Sequence, residues 1–200
     1  MADITFTDFM NIVQSAGVTK FSKIQNVKSR GAYSPSKDYY KPLRQKIIEL
    51  CESSGNIEDV SLEIQAANKK KWGNYEVICK NIIAWKKKNK NLSWISPPKG
   101  YFKPNVIGIK VNPELAFQMD SGNMIVIKLH MNKEPLSKGK LQIAAHLLQK
   151  TLGDCCPDNT NFAFLDLHQG KIFPVKGVHE STDAFLAAEI AYIEYVWNNA

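Results

Sequence analysis

The alternation of apolar and polar residues is clearest between positions 114 and 131. From Glu114 to Met119 the odd-numbered positions are Leu, Phe and Met, and from Met124 to Met131 they are Ile, Ile, Leu and Met. This period of two predicts two β-strands, and Asp-Ser-Gly-Asn at 120–123 predicts the hairpin turn that joins them. Shorter β-rich runs predict further strands at 106–111, 162–167 and 172–175.

Elsewhere apolar residues recur at the spacing of a helix. A short helix is predicted first, capped by Thr7 or Asp8 and ended by Gly17. Residues 18–35 have weak periodicity and are expected to form an ordered loop. The further predicted helices span about 42–52, 58–70, 74–88, 137–152 and 181–198.

Together these elements predict an α+β fold in a single domain, residues 1–200. A mainly helical N-terminal part, residues 1–91, is expected to pack on a mixed or antiparallel sheet of about four to six strands within 92–175. The C-terminal helices should cover the same sheet. The predicted core consists of Leu115, Phe117, Ile125, Ile127, Leu129, Leu141, Leu148, Leu165 and Trp197.

Charge is unevenly distributed along the chain. The formal net charge is +7, but residues 1–110 hold 19 Lys/Arg against 9 Asp/Glu, giving +10, and residues 111–200 hold 7 against 10, giving −3. A basic first half favours an anionic partner. The start of the chain lacks the features of a secretory signal, no apolar run is long enough to cross a membrane, and the four cysteines form no CxxC pair. These observations predict a cytoplasmic protein with no membrane partner.

The stretch 69–103 is the strongest hint of function. It holds ten lysines and one acid, Glu76, with aromatic residues interleaved. Ammonium groups that follow phosphates and aromatic faces that stack on bases are typical of single-stranded nucleic-acid binding. The predicted nucleic-acid-binding residues are Lys69, Lys70, Lys71, Trp72, Lys86, Lys87, Lys88 and Trp94. The alternative is that Tyr75 and Trp85 belong to the core and the lysines only solvate the surface.

Polar residues on the predicted strands give a second hypothesis. Strand alternation places Glu114 with Gln118 and Lys128 with His130, and Asp166 and His168 fall near another strand end. If these strands are neighbours, the mixture suits metal-assisted hydrolysis, in which carboxylates hold the ion. The candidate catalytic residues are Glu114, Lys128, His130, Asp166 and His168. A solvated sheet face explains the same pattern.

The predicted order of hairpin, helix and strand over about 106–175 resembles the core of restriction-endonuclease-like, PD-(D/E)xK, nucleases. In that family an acid precedes a strand that carries acid-x-lysine. The resemblance implies that Lys128 matches the lysine and that Glu114 or Asp120 matches the first acid. The position two before Lys128 is Val126, which departs from the family pattern.

A second resemblance covers most of the chain. The strings VNPEL, IVIKLH, KEPLSK and FLDLHQGK resemble segments of uncharacterised bacterial proteins. This resemblance implies a microbial cytosolic protein and no particular activity.

Three functions remain open from the sequence. The first is a non-catalytic nucleic-acid- or anion-binding protein, the second a metal-dependent hydrolase or nuclease, and the third a protein-interaction accessory protein. No histidine spacing indicates a dedicated zinc site, and His146 is expected to be an exposed polar residue. The sequence assigns neither a cofactor nor an oligomeric state.

Overall fold

Two mixed β-sheets organise the computed structural model, which describes residues 2–30, 38–67, 69–175 and 181–199. The strands are β1 (Ala2–Thr5), β2 (Leu92–Trp94), β3 (Gly100–Phe102), β4 (Ile107–Val111), β5 (Leu115–Met119), β6 (Met124–His130), β7 (Asn161–Asp166) and β8 (Lys171–Pro174). The α-helices are α1 (Phe6–Val13), α2 (Gly17–Ser29), α3 (Lys41–Glu52), α4 (Asp59–Ala67), α5 (Trp72–Lys88), α6 (Lys138–Leu152) and α7 (Ser181–Asn199). The predicted α+β class is confirmed.

The larger sheet has the strand order β2-β5-β6-β7-β8. All its pairs are antiparallel except β6 and β7, which are parallel and joined through α6. The predicted hairpin joins β5 and β6, and Gly122 adopts φ +81° in its turn, where a side chain would be strained. The predicted order of hairpin, helix and strand is therefore present, with the last strand parallel to β6.

A second sheet, of three strands, was not predicted as a separate unit. Its order is β1-β4-β3, and β1 runs parallel to β4 from Ala2 opposite Ile107 to Thr5 opposite Lys110. The predicted mixed sheet of about four to six strands within residues 92–175 is confirmed by the five-stranded sheet. The additional three-stranded sheet was missed, because its strand β1 comes from the start of the chain. Four residues carry too little pattern to be recognised as a strand without their partner.

Apolar clusters cover both faces of the five-stranded sheet. Ala116, Val126 and Phe164 belong to a cluster shared with α1, α6 and α7, whereas Phe117, Ile127 and Leu165 pack with α3, α4 and α5. Most predicted core residues are buried, namely Leu115, Phe117, Ile127, Leu129, Leu141, Leu148 and Leu165. Ile125 and Trp197 are only partly buried and pack at the edges of these clusters.

The N-terminal segment corrects two local predictions. Thr5, rather than Thr7 or Asp8, caps α1, because its hydroxyl accepts a hydrogen bond from Asp8 N at 3.1 Å and the Asp8 carboxylate accepts from Thr5 N at 3.3 Å. Gly17 begins the next helix rather than ending the first one, and the loop predicted at 18–35 is helical as far as Ser29. Residues 31–37 lie outside the described part of the chain.

Tertiary contacts explain why α2 is a helix despite its weak pattern. Ile24 alone is fully buried, and the helix is tied to α7 by an ion pair between Lys20 and Glu189 and by Lys28 Nζ, which donates to Trp197 O at 2.6 Å. The partners in these contacts are more than 160 residues apart in the sequence, so local periodicity could not indicate them.

Among the described residues, no helix combines the length and apolarity that a membrane crossing requires.

The lack of a side chain at Gly100 lets β3 pack closely against the C-terminal end of α6. A Cβ at this position would lie 2.6 Å from Thr151 Cγ2 and 2.8 Å from Leu152 Cδ2. We expect Gly100→Ala to lower the free energy of unfolding by about 1–3 kcal/mol, because overpacking displaces side chains or backbone. Urea denaturation measures this loss, and Gly139→Ala, where no atom lies within 4 Å of the added Cβ, is the control that should lose far less.

The prediction that His146 is exposed was wrong. His146 is 9% exposed, and its Nε2 lies 2.7 Å from the Asp183 carboxylate, which also accepts a hydrogen bond from Lys150 at 2.7 Å. The contacts with Lys150 first, and then with His146, lower the pKa of Asp183 to about 2. The cluster joins α6 to the first turn of α7.

A pH dependence follows from this carboxyl group. Because the folded pKa lies below the ordinary value of 3.8, Asp183 stabilises the fold above about pH 4, and this stabilisation is lost as the pH falls toward 2. Asp183→Asn should therefore lower the melting temperature at pH 5 and make little difference near pH 2. Thermal unfolding at both values tests this, and an equal effect at both would contradict it.

Candidate functional site

Four of the five candidate catalytic residues meet on one face of the large sheet. β5, β6 and β7 are neighbours, and the register places His130 opposite Asp166. Glu114 lies just before β5, where its backbone N–H donates to Ile127 O at 3.2 Å, which sets it opposite Lys128. The alternation therefore predicted correctly that these side chains share a face. The expectation that this face is solvated was wrong, since α1 and α6 pack against it.

Glu114 and Lys128 form a buried ion pair. Lys128 Nζ lies 2.5 Å from Glu114 Oε1, and only 5% of the lysine side chain and 10% of the glutamate side chain are exposed. The second carboxylate oxygen, Oε2, accepts a hydrogen bond from Leu129 N at 2.8 Å. Both oxygens of Glu114 therefore have partners within the β5–β6 hairpin, and the pair satisfies two charges that would be costly to bury alone.

His130 is held at the end of β6 by the loop that follows it. Its side chain is buried, and Nε2 lies 2.7 Å from Glu134 O, so this nitrogen carries the proton and donates it to the carbonyl. The imidazole thus closes the turn between β6 and α6.

Asp166 organises two loops at the corresponding end of β7. It is fully buried, and its Oδ2 accepts a hydrogen bond from Leu136 N at 3.2 Å. Its Oδ1 accepts from His168 N at 3.0 Å and from Gln169 N at 2.9 Å. A carboxylate with three backbone donors is stable when buried, and here it fixes the loop before α6 and the turn after β7.

His168 lies beyond the end of β7, two residues after Asp166, whose carboxylate accepts a hydrogen bond from its backbone N–H. Its Nε2 is buried and has no hydrogen-bond partner among the described residues, and burial lowers the pKa of the imidazole. The ring packs edge-on against Tyr40 at 6.4 Å between centroids. Asn81 of α5 donates to the carbonyls of Leu167 and His168, at 2.8 and 3.2 Å, and so anchors this turn to the helix. Nothing in the sequence pattern singled out Asn81.

This arrangement does not fit a divalent metal ion. Both oxygens of Glu114 and both oxygens of Asp166 are occupied by protein donors, and position 126 is valine, where the nuclease family has an acid. Across the described ranges, no three His, Cys, Asp or Glu side chains converge as metal ligands would. The geometry supports a structural role, in which the Glu114–Lys128 pair, His130 and Asp166 each hold a strand end or a loop through their own buried polar contacts.

The predicted nucleic-acid-binding residues lie on the opposite face of the sheet, on and around α5. Lys69, Lys70 and Lys71 form a 3₁₀ turn that leads into α5 at Trp72, and Lys86–Lys88 end that helix. Tyr75 and Trp85 are buried, as the alternative interpretation held. Trp94, in β2, packs edge-on against the Phe117 ring at 5.7 Å and is, like Trp72, only partly exposed.

Several of these lysines are engaged within the fold. Lys71 Nζ lies 4.7 Å from the centre of the Tyr39 ring, and Lys86 Nζ lies 4.7 Å from that of Phe117. Lys87 forms an ion pair with Glu58, the residue just before α4. Such contacts orient the side chains and leave these three ammonium groups less available to a ligand.

Other lysines point to solvent. Lys69, Lys70 and Lys88 are exposed, and Lys80, which the sequence analysis did not single out, lies two turns before Lys87 and Lys88 on the same exposed side of α5. Within the described residues none of the four forms an ion pair. Their helical spacing is the signal that could have identified Lys80.

A groove lies beside Lys69, the first of the four exposed lysines Lys69, Lys70, Lys80 and Lys88, which we call the lysine row. It has a volume of about 370 Å³ and lies between α4 and the beginning of α5. Leu62, which is 69% exposed, and Trp72 form its apolar walls, and Lys69 lies at its rim. Gln65 and Ala66 complete the lining. Sequence reasoning selected Trp72 and Lys69 but could not pair them with Leu62, since the pairing depends on how α4 packs on α5.

The fold and these surfaces define an α+β protein with buried polar contacts on one side of its sheet and an exposed lysine row on the other. No protein-family model matches the chain, and no relative is found among the curated proteins.

Proposed function

We propose that this protein is a non-catalytic binding module for single-stranded nucleic acid, which it holds along α5. The observation that carries the proposal is the groove of about 370 Å³ that joins an apolar wall, Trp72 and Leu62, to a rim lysine, Lys69. The flat π-face of a base can stack against such a wall while the phosphates of the strand meet ammonium groups.

The lysine row supports the same ligand over a longer distance. Lys80 and Lys88 lie eight residues apart on α5, which corresponds to about 12 Å along the helix axis. This distance exceeds the separation of two neighbouring phosphates in a single strand, so Lys80 and Lys88 would contact phosphates that are not adjacent. Lysine contacts the phosphate backbone more readily than it recognises particular bases, because its ammonium group is a compact charge and lacks the planar, two-pronged hydrogen-bonding geometry of the arginine guanidinium. We therefore expect binding with little sequence preference.

The site chemistry also favours binding over cleavage. Glu114 and Asp166 use their oxygens within the protein, and both lie on the far face of the sheet from α5. A strand bound on α5 therefore lies away from them. Oligonucleotide incubated with the protein and Mn²⁺ is expected to keep its full length.

Charge-neutralising variants test the proposal. We expect Lys70→Gln, Lys80→Gln and Lys88→Gln, combined in one variant, to weaken binding of a labelled 20-nucleotide single strand at least about tenfold at low salt, since phosphate contacts dominate such affinities. Fluorescence anisotropy measures the change. The matched control replaces Lys99, Lys133 and Lys171 by glutamine, which lowers the net charge equally at exposed lysines outside α5 that, within the described residues, form no ion pair.

The two triple variants separate a local site from a general charge effect. Equal weakening by both would contradict a site on α5 and leave only non-specific attraction to a basic protein. The groove itself is tested by Leu62→Glu against Leu62→Gln, because Leu62 is exposed and either change should leave the fold intact. The glutamate should weaken binding and the glutamine should change it less.

A further inference from the structure

A second pocket lies on the side of the five-stranded sheet that faces away from α5. It has a volume of about 360 Å³ and is lined by residues of α1, of α2 and of the loop that joins β6 to α6. Both helices contribute to the apolar cluster on the opposite face of the sheet from α3, α4 and α5. The pocket is therefore separate from the surface proposed for nucleic acid.

The position and size of this pocket are those of a small-molecule site. Its loop follows the carboxyl end of β6, which is parallel to β7, and open α/β sheets commonly bind ligands beyond the carboxyl ends of such strands. Pockets that hold small ligands have volumes of roughly 300–1,000 Å³, so this pocket suits a ligand at the small end of that range.

Hydrogen bonds fasten the walls of the pocket to one another. Asn132 Nδ2, in the loop, donates to Asn11 Oδ1 of α1 at 2.9 Å. Lys23 Nζ of α2 donates to Asn11 O at 3.3 Å. The buried His130 side chain holds the same loop, because its Nε2 lies 2.7 Å from Glu134 O. The pocket is thus formed before a ligand enters, which lowers the free-energy cost of binding.

The charges around the pocket leave one cation without a partner. Asp8, in the wall, pairs with Arg30 at 2.8 Å, and Glu134 pairs with Lys23 at 3.3 Å. Lys133 also lines the pocket, is exposed and forms no ion pair within the described residues. An anionic ligand therefore balances the charge of the pocket, whereas a cation adds to its excess.

The remaining lining residues suit an oxyanion that is attached to a compact apolar body. The side chain of Asn26, on α2, makes no hydrogen bond within the part of the chain that the structure describes, so its amide is free to donate to a ligand. Ile12 and Val27 supply the apolar part of the lining. Pockets of this kind combine an apolar wall with a few polar groups that orient the ligand.

Glu134 holds the ammonium group of Lys23 only loosely. The glutamate side chain is 77% exposed, and the two charged groups are 3.3 Å apart. Such an exposed pair contributes little to stability, so an anion can replace the glutamate beside Lys23. The same anion then meets Lys133 as well.

We propose that this pocket binds a small organic anion, whose phosphate or carboxylate group contacts Lys23 and Lys133 and whose apolar body contacts Val27. Glu134 competes with the ligand for Lys23 and therefore limits the affinity. A variant that lacks this carboxylate binds the anion more tightly than the wild type does.

Chemical-shift mapping by NMR tests the site directly. The probes are benzoate, phenyl phosphate and benzamide, which share an aromatic ring, although only the first two are anions. At constant ionic strength, benzoate or phenyl phosphate should shift the backbone amides of residues 132–134 and the side-chain amide of Asn26, whereas benzamide should not. A response to one anion alone identifies carboxylate or phosphate as the preferred group, and either result supports the proposal.

Two substitutions with opposite expected effects separate this site from general attraction to a basic protein. Lys133→Gln should raise the dissociation constant of the anion that binds at least about threefold, and Glu134→Gln should lower it at least about twofold. Both positions are exposed, so neither change should disturb the fold. Lys171→Gln and Glu52→Gln, at exposed positions on β8 and α3, are the matched controls and should leave the constant within error of the wild-type value.

Three results would overturn the proposal. The first is the absence of shifts at residues 132–134 with either anion up to about 20 mM, a concentration that reveals even millimolar affinity. The second is an equal response to benzoate and benzamide, which would show that charge plays no part. The third is an equal effect of each substitution and its control, which would reduce the binding to a property of the net charge.

Discussion

Replacing Lys128 with methionine is expected to lower the free energy of unfolding by about 3–5 kcal/mol. Methionine fills a similar space, but the carboxylate of Glu114, whose side chain is 10% exposed, loses the ammonium group with which it is paired. The cost therefore comes from a buried charge without a counter-charge rather than from a cavity. Urea or guanidinium denaturation at pH 7 measures the loss, and a loss of less than about 1 kcal/mol would contradict a buried ion pair.

A double variant separates charge from packing at this position. Glu114→Gln alone leaves Lys128 without its partner, whereas Glu114→Gln with Lys128→Met removes both charges and keeps an acceptor for Leu129 N. We expect the free energy of unfolding of the double variant to be at least about 2 kcal/mol higher than the value obtained by adding the losses of the two single variants. It should also bind single-stranded oligonucleotide as the wild type does, because α5 lies on the other face of the sheet.

Replacing Asp166 with alanine is expected to cost about 3 kcal/mol or more, since it leaves three backbone donors without their acceptor. The affected N–H groups belong to Leu136, His168 and Gln169. Asp166→Asn keeps one oxygen for the turn after β7 and loses only the contact with Leu136, so we expect it to cost about 1–2 kcal/mol.

Two measurements check the role of Asp166. Denaturation should show that the wild type is the most stable, the Asp166→Asn variant less stable, and the Asp166→Ala variant the least stable. Amide hydrogen exchange should show loss of protection at 168 and 169 in the alanine variant and retention of it in the asparagine variant. Equal stability of the two variants would mean that the carboxylate does not organise these loops.

The strands of the central hairpin could be predicted because their pattern is local. Alternation from Glu114 to Met131 fixed both the faces and the turn, and the structure pairs Leu115 with Ile127 as that pattern requires. The α2 helix could not be predicted, because it depends on Ile24 and on ionic contacts with a helix at the far end of the chain. Local sequence does not encode such a partner.

The candidate site shows the same difference between features that follow from the local sequence pattern and features that depend on tertiary packing. Alternation placed Glu114, Lys128 and His130 on one face, and the parallel register brought Asp166 beside them. Whether that face is wet or covered depends on α1 and α6, so the sequence could not decide between a solvated face and a set of buried polar contacts. The groove beside Trp72 was missed for a similar reason, because its other wall, Leu62, comes from a different helix.

The salt dependence of oligonucleotide binding tests the central proposal most directly. Anisotropy of a labelled 20-nucleotide single strand would be followed against wild-type protein at several salt concentrations between about 50 and 300 mM. If three or four lysines near α5 contact phosphates, the logarithm of the association constant should fall linearly with the logarithm of salt, with a slope of about −2 to −3. Absence of binding at 50 mM salt, or binding that does not weaken as salt rises, would contradict a nucleic-acid-binding surface on α5.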